Sequence, residues 1–464
     1  MNQHTRIQKI SEITSRPQEI YGRQDIPWKD RLDPMDVYKI PLEYLVYNKY
    51  NGRILSRTKS LEKQHHKIDE ESEEGKRLLE GLLYDSNLGR NKQTFESLKK
   101  IGQEKVGIIT RDGIIIDGNR RAMLLGKAGA RYFKAVVLPV TLEENPLEIE
   151  KLETTYQMGE DEKLGYNPTE KYLKAKQLQK QRVTTADIAR WMGESEGHIK
   201  ENLYIMGVMD DYLDYLGING IYTQLDNRED QFITLSNQLK SFYDENSGKP
   251  FGGYRDSDVD DLKNVSFDYI RVKYEGKDFR NIAYGLRENH FFGNKEIWED
   301  FRDFHFDHMK PIELLEDKID LDSQDLESHL NARDTKFNNL TKDENGKSFL
   351  IENMEDHLKE LGYNKAKDQP AKLAKDSIGA LQAIDPKHNA TSKPEVVEQI
   401  QNIADLAFSM LTDKSPKRVM GQVVDLLSAI NLDGTTETKE ELLAAVKEIE
   451  KQAYKIEKQI KSSL

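Results

Sequence analysis

The stretch IIIDGNRRAMLL, residues 114–125, decides the fold, because a strand pattern changes to a helix pattern within it. Its first three residues continue a strand begun at residues 106–109, across the hairpin signal RDG at residues 111–113. Its last four residues favour a helix, and residues 132–140 are typical of another strand. The order hairpin, turn, helix, strand predicts a small α+β domain.

The turn inside this stretch has the features of an anion site. Gly118 permits the sharp change of direction, and Asn119 is a good helix N-cap. The amide groups and the dipole at a helix start favour a negative charge, and Arg120 and Arg121 add donors that fit phosphate oxygens. In the alternative interpretation, both arginines are surface residues that pair with nearby acids such as Asp117.

The same residues carry a resemblance to a known family. Residues 116–122 resemble the G-x-R-R segment of the ParB/sulfiredoxin superfamily, and YNKYNGRI, residues 47–54, is similar to the first box of that family. The likeness extends over roughly residues 36–216. It implies a ParB-like protein that binds CTP with Mg²⁺ through Arg53, Gly118, Asn119, Arg120, Arg121 and Gln157.

Two differences from the superfamily limit the activities that this resemblance implies. The third box of ParB proteins is E-N-x-x-R, and its counterpart ETTYQ, residues 153–157, has Thr in place of Asn and Gln157 in place of Arg. A neutral Gln stabilises a triphosphate far less than a guanidinium does. We therefore expect any hydrolysis of CTP to be weak. The chain has no cysteine, so sulfiredoxin chemistry is excluded.

Residues 185–206 fit a helix-turn-helix. With Thr185 as its first position, Ala189, Gly193 and Ile199 fall where two packed helices need a small residue, a turn and an apolar residue. The resemblance implies that DNA is read here. We expect the DNA-facing residues to be Thr185, Ser195, His198 and Lys200, together with Lys174 and Arg182 on or just after a preceding helix that starts at residues 167–170. Glutamates in the second helix instead suit a protein-interaction adaptor.

Charge and pattern divide the rest of the chain. Residues 1–200 have a net charge of +4 and residues 201–464 one of −17, which together give the −13 of the 464-residue chain. We expect the following parts: a mobile arm (1–35), a ParB/sulfiredoxin-like nucleotide-binding domain (36–150), a helix-turn-helix domain (151–216), an acidic mixed middle domain (217–330) and a helical C-terminal region (331–464). The fold class is therefore α+β, with a small N-terminal domain followed by mostly α-helical domains.

Apolar residues spaced as heptads run through residues 438–462 and predict either a dimerisation helix or a helix that docks on its own domain. The resemblance then implies a homodimer that acts as a CTP-dependent DNA clamp in DNA segregation or gene regulation of a prokaryote or phage. No membrane segment is expected, so we predict a cytoplasmic, nucleoid-associated protein.

An enzyme on the same scaffold is the alternative. In a nuclease or a nucleotide-dependent kinase, Asp117 or Glu153 would be the acid/base or metal-holding carboxylate. His305 and His308 with Asp303 permit a metal ion, but we interpret them as scattered histidines of a surface helix and predict no metal site.

Overall fold

The computed structural model describes residues 1–64, 67–156, 167–244, 247–274, 276–315, 326–412, 414–430 and 438–463. Two compact units divide the chain, one of residues 1–369 and one of residues 370–464. The first has a small sheet near its N-terminus and is otherwise mainly helical, which confirms the predicted α+β class.

The first residues are ordered, so the prediction of a mobile arm is wrong. Residues 3–14 form α1 (Gln3–Thr14), and a hairpin of β1 (Ile20–Trp28) and β2 (Arg31–Pro41) follows. Ile10 of α1 is fully buried, and Arg6 is held by Glu71 at 2.6 Å and by the backbone oxygen of Asp112. These contacts join α1 to parts of the chain far away in sequence.

Three more strands complete the sheet. They are β3 (Gly107–Ile109), β4 (Ile115–Asp117) and β5 (Tyr132–Val137). The strand order is β1-β2-β5-β3-β4, with β3 parallel to β5 and the other pairs antiparallel. The hairpin and the third strand predicted from the sequence are therefore present, and β5 lies in the centre.

Alternating side chains of the strands fill two cores. Ile40, Ile109, Ile115 and Phe133 face one core, which is covered by α1 and by α2 (Leu55–Lys63), α3 (Glu73–Asp85), α4 (Leu88–Ile101) and α5 (Asn119–Lys127). Val37, Ile108, Ile116 and Val136 face the other, which is covered by α6 (Pro146–Thr154). Successive side chains of a strand point to opposite faces of the sheet, so both faces of the sheet are packed against apolar side chains.

Helices make up most of the remaining first unit. They are α7 (Pro168–Lys180), α8 (Thr185–Met192), α9 (Glu196–Tyr215), α10 (Glu229–Phe242), α11 (Asp256–Arg271), α12 (Gly276–Ala283), α13 (Lys295–Glu313), α14 (Leu326–Leu340) and α15 (Phe349–Lys365). One aromatic-rich core connects α7 and α9 with α15. The predicted boundaries at residues 35, 150 and 330 fall inside β2, α6 and α14, which pack in the cores of the sheet and in the large helical core.

The second unit is formed by α16 (Pro370–Gln382), α17 (Pro394–Thr412), α18 (Pro416–Ala429) and α19 (Lys439–Ser463). Many of its apolar side chains are exposed, including Leu427 at 40% and Ile449 at 39%. Among the described residues, no helix is long and apolar enough to cross a bilayer.

Candidate anion-binding site

The turn between β4 and α5 is built on Gly118. Its φ of 97° and ψ of 18° lie in the left-handed region, and it is the N-cap of α5 without a capping side chain. The first amide groups of α5 are therefore oriented as an anion site requires.

Asn119 has a different role from the predicted one. It is the first residue of α5 rather than the N-cap, and only 2% of it is exposed. Its Oδ1 accepts a hydrogen bond from the backbone nitrogen of Asn48 at 2.9 Å, and its Nδ2 donates to the backbone oxygen of Ile115 at 2.9 Å. Asn119 thus ties the loop of residues 47–54 to the turn, which brings Arg53 to the same cavity.

A cavity of about 290 Å³ opens at this turn. Four cationic and two acidic side chains line it, namely Arg53, Lys105, Arg120, Arg121, Glu104 and Asp117. Gly118 and Asn119 also contribute to its wall. The excess of positive charge beside a helix N-terminus favours an anion with several oxygen atoms.

Arg121 is held more firmly than the sequence indicates. Its Nη1 donates to the backbone oxygens of Lys105 and Val106 at 3.0 and 3.3 Å, and its Nη2 lies 3.7 Å from Asp117 Oδ2. Burial lowers the pKa of Arg121 from its ordinary value, and Asp117 counteracts this effect. Arg121 therefore combines the two predicted roles, because it pairs with Asp117 and also lines the cavity.

Glu153 and Lys174 lie away from this cavity, in a buried network. Glu153 accepts from Asn48 Nδ2 at 3.1 Å, and Lys174 Nζ lies 3.4 Å from Glu153 and 2.7 Å from Glu150. Glu153 is 4% exposed and Lys174 1%. Lys174 is thus no DNA contact, which corrects the prediction, and Glu153 does not meet Asp117 at one site. Gln157 lies outside the described residues.

The two helices predicted at residues 185–206 are present as α8 and α9. Gly193 ends α8 with a φ of 65°, and Ala189 and Ile199 are buried as the pattern requires. Thr184 caps α8 by accepting a hydrogen bond from the Asp187 backbone nitrogen, and Thr185 is the first residue of the helix. The helix α9 extends nine residues beyond the end of the predicted motif at residue 206, because its second half packs in the large core.

The residues expected to face DNA are on the surface of these helices. Ser195 caps α9 by accepting from the His198 backbone nitrogen at 3.1 Å, and both residues are exposed, as is Lys200. His198 Nδ1 lies 2.8 Å from Glu194, which also pairs with Lys171 at 3.7 Å. Lys176 is paired with Asp210, whereas Lys180 and Arg182 are exposed.

The histidines at residues 305 and 308 do not share a site. His305 is fully buried, with its Nε2 3.0 Å from Asp268 of α11. His308 Nδ1 lies 2.8 Å from the backbone oxygen of Phe304. The prediction of a surface helix is therefore wrong for His305.

Sequence reasoning missed Lys105 and the contribution of α4 to the cavity. Thr94, Ser97 and Leu98 of α4 form one wall, although nothing in their local pattern differs from an ordinary helix. Only the packing of α4 against α5 places them there.

Comparisons with known proteins give structural neighbours only. No protein-family model and no curated protein matches the chain. The solved structures that resemble it include a C-terminally truncated chromosome-partitioning protein ParB from Caulobacter crescentus complexed to the centromeric parS site. It is 13% identical, has a TM-score of 0.28 and covers 53% of this chain and 97% of its own.

The same truncated ParB complexed with CTP-gamma-S is 15% identical, with a TM-score of 0.18 and coverages of 43% and 92%. A Pnob8-like ParB-N domain is 12% identical, with a TM-score of 0.29 and coverages of 50% and 92%. At these TM-scores, the function of the chain has to be argued from its own residues.

Proposed function

We propose that this chain is a ParB-like DNA-binding protein that takes up a nucleoside triphosphate, CTP with Mg²⁺, in the cavity beside α5. The cluster of Arg53, Lys105, Arg120 and Arg121 at the uncapped start of α5 carries this proposal. Guanidinium groups match phosphate oxygens in geometry as well as charge. Backbone amides of α5 add donors that no side chain of the turn already occupies.

In this proposal, each element of the cavity has a role. Gly118 lets the backbone approach the phosphates closely, Asn119 fixes the loop that carries Arg53, and Arg121 braces the turn through Lys105 and Val106. Arg53 and Arg120 are the donors for the bound anion. Asp117, which lines the cavity and lies 3.7 Å from Arg121, is the carboxylate that we assign to a magnesium ion.

The DNA-binding part of the proposal rests on α8 and α9. Thr185, Ser195, His198 and Lys200 lie at or near the exposed start of these helices, and Arg182 lies just before them. Glu194, Glu196 and Glu201 reduce the attraction of this surface for phosphates. A homodimer that closes on DNA when nucleotide binds, in the cytoplasm at the nucleoid, completes the proposal.

Nucleotide titration of matched arginine variants tests this function. We expect Arg53→Ala and Arg120→Ala to weaken CTP binding about 10- to 100-fold, because a hydrogen bond from a charged donor contributes about 1.5–3 kcal/mol. Calorimetric titration of CTP, ATP and GTP with Mg²⁺ measures this. Arg111→Ala is the control, because Arg111 pairs with Glu144 at another surface and does not line the cavity.

The same proteins are then tested with duplex DNA in a mobility-shift assay, with and without CTP. Binding of DNA should weaken steeply with salt, and CTP should change it in the wild type but not in Arg120→Ala. Absence of nucleotide binding under every condition contradicts the nucleotide part of the proposal. Absence of a shift at low salt contradicts the DNA part and leaves the adaptor alternative.

A further inference from the structure

Three potential metal ligands meet where α13 and α15 pack together, far from the cavity beside α5 in sequence. Asp300 of α13 and His357 and Glu360 of α15 each offer a ligand atom, and these atoms lie within 4.8 Å of one another. None of them belongs to the histidine pair considered from the sequence. All three lie in the first unit of the chain.

The orientation of the His357 ring is fixed by its neighbours. Nδ1 lies 2.7 Å from the backbone oxygen of Asn353, and because a carbonyl oxygen can only accept, Nδ1 carries the hydrogen. The ring also packs against Phe291 and Phe301, with centroid distances of 6.0 and 5.3 Å. In metal-binding histidines, the ring nitrogen that does not bind the metal commonly donates such a hydrogen bond, which fixes the tautomer and the orientation of the ring.

This orientation leaves Nε2 of His357 facing the two carboxylates. The residue is 6% exposed, and Nε2 has no hydrogen-bond partner among the described residues. The nearest charged atom is Asp300 Oδ2, at 3.4 Å. Two ligands of one tetrahedral zinc ion, with bonds of about 2.0–2.2 Å, lie roughly 3.3–3.5 Å apart, so this spacing fits a shared ion.

The two carboxylates can adjust to such an ion. The Asp300 side chain is 80% exposed, and Glu360 follows His357 by about one helical turn and is half-buried. The helices themselves are already held in register, because Asn353 Nδ2 donates to the backbone oxygen of Phe301 at 3.0 Å. The histidine is thus rigid, and the acids have room to approach.

We propose that Asp300, His357 and Glu360 form a binding site for a divalent first-row transition metal ion of the Zn²⁺ class. One imidazole nitrogen and two carboxylate oxygens make up the protein ligands, a set that suits such ions better than Mg²⁺ or Ca²⁺. Water fills the remaining coordination. The ion joins α13 to α15 and stabilises the folded first unit.

Calorimetric titration with ZnCl₂ tests the site on the full chain without an affinity tag, in the presence of excess MgCl₂. We expect stoichiometric Zn²⁺ binding that Asp300→Asn and Glu360→Gln each weaken at least about tenfold. Asp307→Asn is the control, since Asp307 is an exposed acid of the same helix outside the cluster. A third variant, His357→Gln, changes a buried residue and can fail to fold. Asp300 is exposed, so Asp300→Asn leaves the core intact and tests the site independently of that variant.

Thermal unfolding supplies an independent measurement. ZnCl₂ should raise the unfolding temperature of the wild type and of Asp307→Asn, and raise it less in Asp300→Asn and Glu360→Gln. If the wild type binds no Zn²⁺, or if both cluster variants bind it as tightly as the control does, the proposed site is wrong and the histidine–aspartate contact is an ion pair only.

Discussion

Gly118 stands where the chain leaves β4 and enters α5, and two separate constraints act on it. Its φ of 97° is one that residues with a side chain rarely adopt. A Cβ atom at this position would also lie 2.8 Å from Cζ of the buried Phe133 ring and 3.2 Å from Nη1 of Arg121. The close approach of the turn to β5 therefore depends on the missing side chain.

Gly118→Ala should lower the free energy of unfolding by about 1–3 kcal/mol, because strain at φ and the contact with Phe133 add. Urea unfolding followed by tryptophan fluorescence measures this, since the side chain of Trp28 in β1 is buried in one of the two cores of the sheet. The matched control is Gly126→Ala in the same helix, where a Cβ meets nothing within 4 Å. We expect it to be stabilising by up to about 1 kcal/mol, and equal effects of the two substitutions would contradict this account.

Local sequence identified the turn but not the partners of its side chains. Asn119 bonds to Asn48, 71 positions away, and Lys174 reaches acids 21 and 24 positions away. A lysine on a polar-looking helix gives no local signal that it is buried between two glutamates. Gly118, Arg120 and Arg121 could be found because the turn, the helix start and the charge lie within four residues.

At the scale of elements, Glu170 joins α7 to α2. Its carboxylate accepts from the Ser56 backbone nitrogen at 3.0 Å and from Ser56 Oγ at 2.6 Å. Burial raises the pKa of Glu170 to about 7, despite these hydrogen bonds and despite Arg57 at 3.9 Å. The junction between the two helices therefore titrates near neutral pH.

Stability should fall as pH rises across this junction. The folded pKa of about 7 lies above the ordinary value of 4.5, so the native state holds the proton more tightly than the unfolded state does. The loss occurs between about pH 4.5 and pH 7, at about 1.4 kcal/mol per pKa unit, and is constant above pH 7. Urea unfolding at several pH values measures it.

Glu170→Gln should remove this part of the pH dependence, because Gln can accept from and donate to Ser56 without ionising. Glu327→Gln, at an exposed position of α14, should keep the wild-type profile. A Glu170→Gln profile parallel to that of the wild type between pH 4.5 and pH 7 would show that Glu170 is not the titrating group.

Elements with a strong local pattern were predictable, and the N-terminal ones were not. The start of α7 at residues 167–170 is as expected, with Asn167 capping the Thr169 nitrogen at 2.9 Å. By contrast, the first six residues of β1 are all exposed, so they show none of the alternation that marks a half-buried strand. Only pairing with β2 defines them as a strand.

At the scale of the whole chain, residues 370–464 differ from the first unit in how far their apolar side chains are exposed. The first unit encloses Phe, Trp and Leu residues in its cores, whereas α18 and α19 leave a groove lined by Val423, Leu427, Ile449, Ile456 and Ile460. Contiguous exposed apolar surface is a feature that interaction sites share. The heptad pattern of residues 438–462 falls on this helix, α19.

If the chain is a homodimer through this unit, as proposed, Leu427→Glu with Ile456→Glu should yield a monomer. Burying a charge in the apolar groove costs more than the contact provides. Light scattering measures the mass, and Lys451→Glu is the control, because Lys451 is exposed and does not line the groove. A monomeric wild type, or a double variant that stays dimeric, would contradict the proposed mode of association.

The change in net charge along the chain does not coincide with the boundary between the two units. The acidic part begins near residue 201, yet one core continues through it from α7 to α15. Charge is a property of the surface, and the boundary between units at residues 369 and 370 depends on which apolar side chains pack together. Composition therefore located the cationic site more reliably than it located the domains.

The strand order β1-β2-β5-β3-β4 has a consequence for synthesis on the ribosome. The hairpin of β1 and β2 is complete by residue 41. The other neighbour of β2 in the sheet is β5, which begins only at residue 132. At about 5–20 residues per second, the nascent hairpin waits roughly 5–20 s for that partner. During translation, β2 therefore presents an unpaired edge that the finished protein covers, and such an edge can pair with other chains.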